Sequence, residues 1–139
     1  NRTEVAVSGE KKLPLKEKVY FMGISNTLEK DIEDAAMFVL PSNYEGMPNA
    51  LMEAMAAGVP VVSTDCPCGG PAYLIEDGVC GRLVPVGDEE ALTEAVRNMV
   101  EEPEAAETMA EHAIERMKEF YPENIYGKWH EYIKRFIEE

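Results

Sequence analysis

The sequence predicts an α/β fold, a parallel sheet with helices on both faces followed by C-terminal helices, and three observations carry that prediction. Short apolar runs recur along the first two thirds of the chain: Val5-Ala6-Val7, Val19-Tyr20-Phe21-Met22, Met37-Phe38-Val39-Leu40, Val59-Pro60-Val61-Val62 and Leu83-Val84-Pro85-Val86. Strands covered on both faces read as continuous apolar runs of this kind. Between them, Thr27 to Ala36 and Asn49 to Ala57 are long enough to be crossover helices, the spacing of a parallel sheet. Turn-forming and polar residues then cluster after the runs, at Gly23, Pro41-Ser42-Asn43, Ser63-Thr64-Asp65 and Pro85-Val86-Gly87-Asp88. Those loops lie at the carboxyl ends of the strands, where sheets of this type take their ligands.

From Asp88 onward the pattern is helical. Asp88 suits an N-cap ahead of Glu89, Glu90 and Ala91, and Leu92, Val96 and Val100 recur at four-residue spacing. Pro103 and Pro122 each suit the first turn of a further helix. The last helix, expected over Glu123 to Glu138, carries Ile125, Trp129, Tyr132, Ile133, Phe136 and Ile137 on one stripe, which reads as core packing. The chain is expected to be one domain over residues 1–139, with an atypical start over 1–18, an α/β core over 19–100 and C-terminal helices over 101–139.

Composition narrows the function. Thirteen basic residues against 27 acidic ones give a formal charge of −14, which repels nucleic acid and anionic membrane surfaces, so neither is expected as a direct partner. Three cysteines, Cys66, Cys68 and Cys80, cannot all pair, and no leader-like stretch opens the sequence, so a reducing cytoplasm is the expected location. No apolar run approaches the roughly 18 to 20 residues of a membrane span.

The chemistry concentrates between residues 41 and 58. A strand ends at Leu40, a polar loop follows, and a helix is expected from about Pro48, whose missing N–H costs nothing in a first turn. The free N–H groups of that turn and the positive end of the helix dipole make an anion site suited to a diphosphate. Glu45 precedes the helix, and Glu53 lies about one turn beyond Asn49 on the same face. Carboxylates repel phosphates, so their natural targets are hydroxyl groups on either side of one. A nucleotide sugar has that layout. Two glutamates around a short helix are also a commonplace surface arrangement, and residue chemistry alone leaves both readings open.

The run Glu45-Gly46-Met47-Pro48-Asn49-Ala50-Leu51-Met52-Glu53-Ala54-Met55-Ala56 resembles the paired-glutamate signature of the family 4 retaining glycosyltransferases. Gly58-Val59-Pro60-Val61-Val62-Ser63-Thr64-Asp65-Cys66-Pro67, then Gly69-Gly70-Pro71 and Gly81-Arg82-Leu83-Val84-Pro85, resemble that family's next loops in order and spacing. The resemblance implies the second, Rossmann-like domain of a B-type two-domain enzyme. It implies a nucleotide diphosphate sugar as donor, UDP-linked by family frequency, no metal or other cofactor, and a glycan or lipid-linked acceptor. Glu53 would hold the ribose hydroxyls and Glu45, the expected catalytic residue, a hydroxyl of the transferred sugar. Gly46, Met47, Asn49 and Ala50 would offer backbone N–H groups, with Pro48 opening the helix and Leu51 packing beside the ribose. Glycine at position 46 would leave room for a close-lying hexose.

The family also carries, upstream, a loop with an Arg and a Lys that neutralise the diphosphate. Residues 1 to 18 do not show it, and Val5-Ala6-Val7-Ser8-Gly9-Glu10 resembles the next strand instead. About one βα unit is therefore expected to be abbreviated or absent and the acceptor-binding first domain to be missing, leaving the chain inactive alone and its C-terminal stripe free to self-associate. A nucleotide-sugar epimerase of the same architecture and a non-catalytic binding module are the alternatives. Other single residues carry less. Asp65 has no acidic partner at an earlier strand end to make it a phospho-acceptor. Cys66-Pro67-Cys68 supplies two soft ligands where a metal wants three or four. His112 and His130 fall on C-terminal helices away from the strand ends.

Overall fold

The computed structural model describes residues 19–137. The expected strand Val5-Ala6-Val7, and the whole of 1–18, lie outside those residues. In order, the elements are α1 (Leu28–Asp31), β1 (Phe38–Leu40), α2 (Asn49–Ala56), β2 (Val61–Asp65), α3 (Gly70–Leu74), β3 (Arg82–Pro85), α4 (Glu89–Glu101) and α5 (Pro103–Met117). A 3₁₀ turn (Lys118–Phe120) and α6 (Pro122–Ile137) close the chain. The strands form a parallel sheet in the order β1-β2-β3, with Val39 beside Val62 and Val62 beside Arg82.

β2 is the middle strand, and its alternation builds the core. Val61 joins Leu51, Ala54, Met55, Leu74, Ile75, Ala113 and Met117 in one buried cluster, while its neighbour Val62 joins Val84, Ala95, Met99 and Ala106 in another. Successive side chains of a strand point to opposite faces. The sheet is therefore covered on both sides, by α2, α3 and the second half of α5 on one and by α4 and the start of α5 on the other. The expected α/β architecture with C-terminal helices stands.

Several boundaries differ from the sequence reading. Val19-Tyr20-Phe21-Met22 is not a strand: none of the three described strands pairs with it, and Tyr20 and Met22 are 81% and 79% exposed. The helix expected over Thr27 to Ala36 shrinks to the single turn α1. It has no side-chain N-cap bond and buries no residue, so neither capping nor packing offsets the cost of nucleation. β2 begins at Val61, because the Val59 N–H is spent on the Ala54 carbonyl in closing α2. That bond and Gly58 N–H to the Met55 carbonyl form a Schellman ending, with Gly58 at φ +72°. β2 also runs on through Ser63, Thr64 and Asp65, expected as loop, since β3 pairs with all three. α3, with Pro71 near its start, was not anticipated.

The helical third follows the sequence more closely. The Asp88 carboxylate accepts a hydrogen bond from the Ala91 N–H at 2.9 Å, the predicted N-cap, and Pro103 and Pro122 open α5 and α6. α4 faces the sheet with Ala95 and Met99, leaving Val100 exposed. The α6 stripe is not core: Trp129, Tyr132, Ile133 and Phe136 are all at least half exposed, and the helix touches the rest of the fold chiefly through the 3₁₀ turn. An amphipathic helix needs a second surface to bury its stripe, and the described residues supply none there.

Candidate functional site

Three loops leave the carboxyl ends of the parallel strands: 41–48 into α2, 66–69 into α3 and 86–88 into α4. The first is held firmly. The Ser42 carbonyl accepts hydrogen bonds from the Thr64 hydroxyl and from the Cys66 thiol, the latter at 3.0 Å, and Ser63 Oγ donates to the Leu40 carbonyl at 3.4 Å. Ser63 and Thr64 are the buried polar side chains among the described residues, and both serve the end of β1. Burial of a hydroxyl is costly unless it is paired, so these contacts fix the loop as well as satisfy the strand.

Against that loop packs the start of α3. A Cβ on Gly70 would lie 1.6 Å from the Gly46 carbonyl oxygen and 3.1 Å from Cδ of Pro48, so only glycine lets the two loops approach this closely. Gly46 is different. Its φ is not positive, and a Cβ there would meet no atom within 4 Å. Among the described residues, no contact requires glycine at 46.

Glu45 is half-buried, and its Oε1 accepts a hydrogen bond from Ser42 Oγ at 2.7 Å. Glu53 is exposed on α2, and among the described residues its carboxylate has no side-chain partner. Between them, the N–H groups of Gly46, Met47, Asn49 and Ala50 find no acceptor among the described residues; the Leu51 and Met52 N–H groups turn back to the Pro48 carbonyl. Pro48 is buried and caps α2, with the helix itself beginning at Asn49. Leu51 corrects one expectation. Its side chain is 0% exposed, inside the core cluster, so it offers no face to a ribose. The apolar periodicity that builds α2 points it inward.

The second loop adds two features that sequence reasoning missed. Cys68 has φ +80°, a left-handed conformation uncommon outside glycine, and its thiol lies 3.1 Å from the Tyr44 hydroxyl, joining the two loops. The hydrogen bond with Cys68, and then the electrostatic influence of the same side chain, raise the pKa of the exposed Tyr44 phenol above its ordinary value. The sequence signal was the sharp turn implied by Cys68-Gly69-Gly70. Asp65 is the exposed last residue of β2, and Cys66 is a buried free thiol. Among the described residues no group of three or more His, Cys, Asp and Glu side chains could hold a metal. His112 lies far in sequence from the rim and contacts the Val79 carbonyl.

The rim carries no lysine or arginine in residues 41–48, 66–69 or 86–88. The partial positive charge it offers is that of the backbone N–H groups at the start of α2 and of the helix dipole. Two concavities lie away from this rim, along α6 (Glu123, Lys128, Glu131, Arg135) and at the start of α4 (Glu89, Glu90, Arg97).

Residues 3–102 match the family described as Glycosyl transferases group 1. The chain belongs to that family. It is 32% identical over 108 residues to the lipopolysaccharide 1,6-galactosyltransferase of Escherichia coli K12, covering 76% of this chain and 29% of that protein. It is 33% identical over 126 residues to the exopolysaccharide phosphotransferase SCO2592 of Streptomyces coelicolor, covering 90% of this chain and 13% of that one. Among solved structures, a point mutant of S. aureus TarM in complex with fondaparinux, alpha-GlcNAc-glycerol and UDP superposes with a TM-score of 0.77 at 29% identity. That match covers 84% of this chain and 24% of TarM. The WaaB outer-core galactosyltransferase, at 21% identity and a TM-score of 0.74, shares the fold. The group 1 chain thus spans less than a third of each of those two curated relatives, and its place is the C-terminal domain of the B-type glycosyltransferase architecture. Among its described residues no helix is long and apolar enough to cross a membrane.

Proposed function

We propose that this domain binds the nucleotide-sugar donor of a retaining glycosyltransferase that moves a hexose or N-acetylhexosamine onto a glycan or lipid-linked acceptor in the cytoplasm. The observation that carries the reading is the row of unpaired N–H groups at Gly46, Met47, Asn49 and Ala50, framed by the carboxylates of Glu45 and Glu53. Donors without acceptors at a helix start suit a diphosphate, and flanking carboxylates suit hydroxyls on both sides of it. Gly46 adds support, because a glycine that the protein's own packing does not require leaves open space for a ligand. In this role the α2 dipole and the free N–H groups stabilise negative charge on the departing diphosphate, with basic side chains from outside the rim completing the neutralisation. The acceptor would be supplied by a partner domain across the cleft. UDP is the preferred carrier, in keeping with the ligand named for TarM.

Titration calorimetry on the full-length protein tests the assignment. Glu53→Ala weakens UDP and the UDP-sugar alike, by roughly 1.5 to 3 kcal/mol, the scale of a hydrogen bond to a charged group. Glu45→Ala weakens the UDP-sugar and spares UDP. Equal loss of UDP in both variants would overturn the division of roles, and no loss in either would return both glutamates to the surface.

A further inference from the structure

Glu45 can discriminate a sugar hydroxyl only if its carboxylate is aimed, and no cation among the described residues aims it. Its partner is the neutral hydroxyl of Ser42, at 2.7 Å from Oε1. Ser42 is itself tied down from the opposite side. Its carbonyl accepts from Cys66 Sγ at 3.0 Å and from Thr64 Oγ1, and both of those side chains are buried in the central strand or just beyond it, at 2% and 4% exposure. A threonine hydroxyl has one proton to give, and the Leu40 carbonyl lies farther from it, at 3.3 Å, so the Ser42 carbonyl is the better-placed acceptor. The connection therefore runs from β2, through the Ser42 backbone, to the Glu45 carboxylate.

We propose that Ser42 is the positioning residue of the donor site, the link by which the buried strand β2 sets the direction of Glu45. The proposal rests on the reading that Glu45 receives a hydroxyl of the donor sugar. A neutral partner fits that task better than an arginine or lysine would. It holds Oε1 without cancelling the charge, and leaves Oε2 to accept from the sugar. Ser42 touches no ligand in this scheme. It acts through Glu45 alone, which separates it from a residue that merely supports the loop.

The test compares UDP with UDP-glucose, UDP-galactose and UDP-N-acetylglucosamine in the full-length protein, reading the ratio of UDP-sugar affinity to UDP affinity for the sugar that binds best. Ser42→Ala is expected to lower that ratio about tenfold, the scale of a lost charge-assisted hydrogen bond, with UDP affinity and Tm unchanged. Ser42→Thr keeps the hydroxyl and keeps the ratio. Ser42→Cys, similar in size but a weak donor, reproduces the loss and carries the test if the alanine variant does not fold. In a Glu45→Ala background, Ser42→Ala has no further effect on the ratio. If Ser42→Ala leaves the ratio intact while Glu45→Ala lowers it, the positioning role is wrong and the donor reading stands. If the ratio and UDP affinity fall together, Ser42 only supports the loop and the proposal is overturned. If Glu45→Ala changes nothing, the donor reading fails and this inference with it.

Discussion

Replacing Gly70 by alanine adds one methyl group to a helix start, a change that backbone propensity would favour and that the packing forbids. The new Cβ would stand 1.6 Å from the Gly46 carbonyl oxygen and 2.7 Å from its carbon, both backbone atoms that cannot rotate away. To reach 3.0 Å, the closest that real Cβ atoms come, the Gly46 carbonyl must retreat by about 1.4 Å, in a loop pinned on one side through the Ser42 carbonyl and on the other by the buried Pro48. Overpacking of that size costs about 1 to 3 kcal/mol. For a domain of this length the loss corresponds to a Tm lower by roughly 3 to 15 °C. The displaced group lies between Glu45 and the free N–H groups, and a shift of about 1 Å in a positioned site costs on the order of a hundredfold in function. Gly46→Ala is the control. Its Cβ meets no protein atom and its φ is ordinary, so Tm should hold while UDP-sugar binding falls. Thermal melts and calorimetry on the two variants separate the effects. A Gly70→Ala protein with unchanged Tm and unchanged UDP-sugar affinity would refute the packing argument.

Three further outcomes follow from the geometry. Asp88→Ala removes the side-chain cap on α4 and should cost about 1 kcal/mol by chemical denaturation, with Asp88→Asn largely retaining the stability. UDP affinity should be indifferent to EDTA, because in the proposed site helix N–H groups, with no metal cluster among the described residues, would face the diphosphate; a large loss on chelation would mean that a metal takes part. The exposed α6 stripe should make the isolated chain self-associate, and Trp129→Lys with Phe136→Lys should restore a monomer; sedimentation of the unmutated chain as a clean monomer at high concentration would count against this.

The parts of the fold that the sequence disclosed are those governed by neighbours along the chain. α2 was legible because Pro48 suits a first turn and Asn49 to Ala57 fills the space between two apolar runs; the structure adds the inward spacing of Leu51, Ala54 and Met55 and the ending at Gly58. Asp88 was legible because an N-cap acts within three residues. What failed depends on partners far away. Val19-Tyr20-Phe21-Met22 has strand composition, but strand character is conferred by a ladder, and nothing described pairs there. Ser63 and Thr64 read as loop residues, yet β3 lies alongside them and the carbonyls of Leu40, at the end of β1, and of Ser42, just beyond it, satisfy their hydroxyls, 23 and 22 residues earlier. Gly70 drew notice only as part of a glycine-rich turn; its reason for being glycine is residue 46. The resemblance places Leu51 beside a ribose, whereas its helical spacing with Ala54 and Met55 sends it to the core. The α6 stripe was correctly seen as apolar, but a stripe does not name the surface that covers it.

Two relatives at nearly the same identity, 32% and 33%, bear names for different reactions, a galactosyltransferase and a phosphotransferase. The matched segment is 29% of one and 13% of the other, so most of each protein lies outside it. The segment's own contribution is then a framework, in which a central strand buried on both faces pins the first rim loop through Ser42 and sets the α3 glycine against the same loop. Function resides in sites carried on folds, and here the site's fixed half is the one that would hold a donor. It follows that the decisive measurements on Glu45, Glu53, Ser42 and Gly70 are of binding. A change in turnover would mix the framework with the unmatched remainder, whereas the contrast between UDP and a UDP-sugar isolates the contribution of each residue named on this rim.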